Sequence, residues 1–146
     1  MGMSSSAFLV WGIDLGRSDD RDLPLPWEET DAGAFDEVFA KALGVEAPNV
    51  EYSETAKALH SDYWDRKHKA IKASGVNLFG YGHREYQGAV LGVTASLTKS
   101  IEYGCEALPD GASFVVDPAW RQQLLVARML LGIQGEPKWL LASAYG

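Results

Sequence analysis

The chain has 146 residues, 47% of them hydrophobic and 23% charged, the composition of one globular domain rather than of a disordered chain or a solenoid array. Thirteen Lys and Arg against twenty Asp and Glu leave a net charge of −7, which sets long-range electrostatics against DNA, RNA and anionic lipid. A chain of this length buries about two thirds of its unfolded surface, so a core forms without a metal or a disulfide. The expectation is one domain over residues 1–146, with residues 1–6 flexible, residues 17–30 a long loop, and no metal or cofactor.

Cys105 is the single cysteine, which excludes an intramolecular disulfide and a Cys-rich zinc site and fits a reducing cytoplasm. The apolar run 7–11 has no Lys or Arg before it and is too short for a signal-peptide core or a membrane span, so no membrane association is expected.

Residues 7–13 are apolar on both alternating faces, the pattern of a strand in the middle of a sheet. Pro24, Pro26 and the acidic group Asp19, Asp20 and Asp22 disfavour regular structure in 17–30. Within that loop Leu23-Pro24-Leu25-Pro26-Trp27 reads either as a partner-binding segment, with Trp27 as its anchor, or as a segment folded back onto its own domain. Thr30 or Asp31 can cap a helix with Phe35, Val38, Phe39 and Leu43 on one face and Gly44 at its end. A second helix is expected from a Ser53 cap to Ala73, and its apolar face places Lys67 awkwardly near the middle.

Residues 76–81 and 89–97 read as two strands of a hairpin with 82–88 at its tip, the second showing clear period-two alternation. Residues 101–108 are ambiguous, Pro109-Asp110-Gly111 marks a turn, and 113–116 reads as a short strand. Asp117-Pro118 starts a helix through Leu131 that is nearly apolar all round, so it is expected to be the most buried helix, with Arg121 and Arg128 as its only charged stripe. A final strand follows over 138–145. These elements predict an α+β domain, a mainly antiparallel sheet of four to five strands packed with three helices.

The chemical signals are weak. Gly12-Ile13-Asp14-Leu15-Gly16 resembles the first phosphate-binding segment of the actin and sugar-kinase superfamily, in which an aspartate at a strand end organises the metal-bound nucleotide. The match covers five residues. The chain continues with Arg17-Ser18 where that superfamily has small hydroxyl residues, and its cleft needs two large lobes. His60, Asp62, Asp65 and His68 resemble a metal set in composition only, because helical ligands need separations of three or four and these histidines are eight apart. Arg66, Lys67, Lys69 and Lys72 form the one candidate phosphate-backbone patch, and a mixed solvated helix face is its plainer meaning.

At the hairpin tip His83, Arg84 and Glu85 stand together, flanked by Tyr81 and Tyr86. An exposed tip lacks the desolvation that tunes acid–base groups, whereas Tyr and Arg suit protein recognition. The reading is therefore a small acidic protein that binds another macromolecule, a protein, through Trp27, Tyr81, His83, Arg84, Glu85 and Tyr86, as an accessory or inhibitory factor, including one of viral or mobile-element origin. The alternative is a small hydrolase-like enzyme with Asp14, His83 and Glu85 as catalytic candidates and Arg84 beside them. Oligomeric state is not legible from the sequence.

Overall fold

The computed structural model describes residues 5–17, 25–27, 33–83, 86–100 and 114–145. Among the described residues five strands, β1 (Ser5–Arg17), β2 (Val76–His83), β3 (Tyr86–Val93), β4 (Thr98–Lys99) and β5 (Lys138–Tyr145), pack with helices α1 (Ala34–Ala42), α2 (Lys57–Ser74) and α3 (Pro118–Leu131). The fold is α+β, with a mixed and mostly antiparallel sheet.

Long β1 is the spine. One edge pairs with β5 from Ser5↔Tyr145 to Gly12↔Lys138, and the other pairs with β4 and then with β3 from Gly12↔Gly92 to Arg17↔Gly88. β2 pairs along β3 and meets β5 at Gly82↔Ala144, in parallel, so the pairing β1–β3–β2–β5 returns on itself. So tight a coil needs close backbone approach: a Cβ on Gly12 would stand 2.4 Å from the Leu91 carbonyl oxygen.

The alternation of β1 splits the apolar residues between the two sides of the sheet. Trp11 and Ile13 join Phe35, Phe39, Ile71 and Leu124 in the main core under the helices. Phe8 and Val10 join Val90 in a second cluster that contains no helical residue, extended by Phe79, Tyr81 and Leu140.

Several expectations are corrected. β1 already begins at Ser5 and runs to Arg17, so neither Ser5 and Ser6 nor Arg17 belongs to a flexible end or loop. β3 stops at Val93, and Thr94–Ser96 form a 3-10 turn. The turn is fixed by the buried Ser96 hydroxyl, which donates to the Val93 carbonyl and accepts the Trp11 N–H at 2.9 Å. Residues 114–116 form no strand. α3 keeps its expected caps, with the Asp117 carboxylate accepting the Ala119 N–H at 2.8 Å and Gly132 left-handed. It is not sunk in the core, however. Leu124, Ala127 and Leu131 face the sheet while Leu125, Val126, Met129 and Leu130 are exposed, because among the described residues only one side of the helix is covered.

Ser53 caps an earlier turn, its hydroxyl accepting the Ala56 N–H, and α2 starts at Lys57. Lys67 is 5% exposed in an unbroken helix, with its Nζ 4.5 Å from the Trp64 ring centroid and 5.3 Å from that of Tyr63, so aromatic faces take the charge that the sequence made awkward. Burial, and then the carboxylate of Glu37, raise the Tyr63 phenol above its ordinary value of 10.0, with Asp36 adding and Arg66 opposing. A folded-state value above the unfolded one means that this contribution to stability is complete below about pH 10 and is lost as pH rises through the folded value. In denaturation followed against pH, Tyr63→Phe is expected to remove that part of the alkaline loss, and an unchanged profile counts against it.

Candidate functional site

Asp14, Arg17, Tyr81 and His83 line one cleft of about 420 Å³, although they come from β1 and β2 and no short motif joins them. Tyr81 and His83 are two apart on β2 and so share a side of the strand with Phe79. On β1 the same rule would set Asp14 and Arg17 on opposite sides. An irregularity intervenes: Asp14 lies opposite Val90 and Arg17 opposite Gly88, so β1 spends one residue more than β3, and the bulge returns Arg17 to the side of Asp14. Gly16, at φ 77, supplies the left-handed residue in this segment, and its N–H donates to Asp14 Oδ1 at 2.8 Å.

The same Oδ1 accepts the Tyr81 hydroxyl at 2.8 Å, a bond across 67 residues of sequence. Gly88 permits it. Tyr81 and Gly88 are cross-strand partners, and a Cβ at Gly88 would stand 2.3 Å from Tyr81 Cζ, so the ring lies over β3 in the space that the missing side chain leaves. Val90, Leu140 and Ala142 give the cleft apolar walls, while the side chain of Leu141, between the last two on a regular strand, is 80% exposed on the opposite side of the sheet. The arrangement offers a carboxylate oriented by two donors, a guanidinium, an imidazole and a phenol, beside apolar surface. That combination can hold a side chain or a short extended segment with both polar and apolar character.

The structure thus brings Tyr81 and His83 of the expected hairpin tip into one cleft with Asp14, which the sequence set beside His83 only in the catalytic alternative. Arg84, Glu85 and the Tyr86 side chain lie outside the described residues, as do Cys105 and Thr30 and Asp31, the expected caps of α1. Trp27 is corrected as a surface anchor: it is 8% exposed, packed edge-on against Phe35 with ring centroids 5.0 Å apart, and belongs to the main core. Arg17 was missed, because a bulge leaves no trace in hydrophobic periodicity. Gly88 and Gly92 beside the aromatic residues of β2 were the available signal.

The other candidates disperse. The aspartate of the phosphate-segment resemblance precedes a bulge in a coiled sheet, not a two-lobed cleft. His60 hydrogen-bonds the Val50 carbonyl through Nε2 at 3.1 Å and packs against Tyr52, while His68 lies against Trp64. No group of three or more His, Cys, Asp or Glu among the described residues is arranged to hold a metal. The basic run on α2 is broken up, since Lys67 is buried and Arg66 pairs with Asp62 at 2.8 Å. No helix among the described residues is long and apolar enough to cross a membrane. Comparisons with protein-family models, curated protein sequences and solved structures gave no match to this chain.

Proposed function

We propose that this protein acts by binding another protein, as an accessory or inhibitory factor in a reducing cytoplasm, with the β2–β3 hairpin and the cleft beside its tip as the contact. The observation that carries this reading is the convergence of Asp14, Arg17, Tyr81 and His83 on one apolar-walled cleft. The net charge of −7 favours a protein over nucleic acid as the partner. A hydrolase-like enzyme remains the second reading, because Asp14 and His83 share the cleft. Catalysis is the weaker of the two, because His83 is exposed, and general acid–base work relies on excluding water.

The test uses His83, which lines the cleft, is exposed and belongs to neither apolar cluster. Capture of the tagged protein's partner from source lysate is expected to yield one stoichiometric protein. His83→Ala is expected to weaken that complex by about tenfold or more, roughly 1.4 kcal/mol, at unchanged melting temperature. A complex indifferent to His83→Ala and to Tyr81→Ala would overturn the assignment.

A further inference from the structure

The outer face of α3 is a second surface, independent of the cleft. Leu125, Val126, Met129 and Leu130 fall at positions i, i+1, i+4 and i+5 of the helix, on the side opposite Leu124, Ala127 and Leu131. All four are exposed, Met129 at 72%. A two-turn apolar stripe is the shape that one helix offers to another.

Charge narrows the choice of partner. Residues 118–131 contain Arg121 and Arg128 and no acid, so this stretch carries +2 while the remaining residues carry −7 − 2 = −9. Arg121 lies with its guanidinium carbon 5.6 Å from the Trp11 ring centroid, and Arg128 donates to the Gly135 carbonyl at 2.8 Å, so both are placed along one flank of the helix. Two copies of this face packed antiparallel would bring the arginines of that flank together. We infer that α3 docks an amphipathic helix of a different protein, one whose apolar stripe is bordered by Asp or Glu.

Two labelled helical peptides of about four turns test it, with the same leucine stripe bordered by glutamates in one and by lysines in the other. Fluorescence anisotropy against the full chain is expected to show the glutamate peptide binding at least about tenfold more tightly than the lysine peptide. Its affinity should fall as salt rises from about 0.05 M to about 0.3 M. Met129→Asp is expected to weaken the complex by about tenfold or more, at unchanged melting temperature. The inference is overturned if neither peptide binds, if both bind equally, or if Met129→Asp has no effect. It is also overturned if sedimentation of the protein alone shows a dimer that Met129→Asp dissolves, since the occupant is then a second copy.

Discussion

Gly12→Ala is expected to leave the chain unable to form this sheet. The new Cβ would stand 2.4 Å from the Leu91 carbonyl oxygen and 2.7 Å from Gly92 Cα. Both are backbone atoms, so no rotamer change relieves the clash. Gly12 is the residue at which β1 passes from β5 to β3, paired with both Lys138 and Gly92, and moving the strands apart there opens the ladder on both sides. Overpacking in a core costs about 1–3 kcal/mol when side chains can shift, and a clash confined to backbone belongs at or above the top of that range. Against a total stability of about 5–15 kcal/mol, the expected result is a large fall in melting temperature or insoluble protein. A Gly12→Ala protein that melts like the parent would mean that β1 and β3 do not approach as described.

Trp27→Ala is the second large effect. Its ring is buried against Phe35, which stacks in turn with Phe39 at a centroid distance of 5.4 Å, so truncation removes one end of an aromatic row in the main core. Such truncations cost about 3–5 kcal/mol, and thermal denaturation is expected to show it plainly. A surface anchor would behave in the opposite way, with melting unchanged and only a complex weakened. The one substitution therefore separates the two readings that the Pro-Trp segment allows.

The elements were largely legible, for local reasons. The alternation of β3, the Asp117-Pro118 start of α3 and the glycines at its end and at that of α2 are short-range signals; the helix signals sit where the sequence puts them, whereas β3 runs from Tyr86 to Val93 instead of over 89–97. The extent of β1 was not, because Asp14 to Arg17 reads as the start of a turn once a bulge breaks the period. α3 was misjudged for a physical reason. An apolar residue carries the same signal whether it lies under a sheet or faces outward, so Met129 and Leu124 look alike in sequence and differ by 72% against 1% exposure.

The candidate site was legible as the hairpin tip with Tyr81 and His83, and Asp14 was set beside His83 only in the catalytic alternative. Asp14, Tyr81 and His83 each stood out, but their meeting depends on the register that sets Tyr81 opposite Gly88 and Asp14 opposite Val90. Register comes from the way the sheet coils, and the Tyr81–Asp14 bond has no counterpart in local spacing.

The cleft is tested most directly by amide hydrogen exchange on the protein with and without its captured partner. The expected result is slowed exchange in residues 81–83 and 140–143 of the bound protein, the segments of the neighbouring strands β2 and β5 that line the cleft. Exchange in both segments that stays as fast in the complex as in the free protein would contradict it.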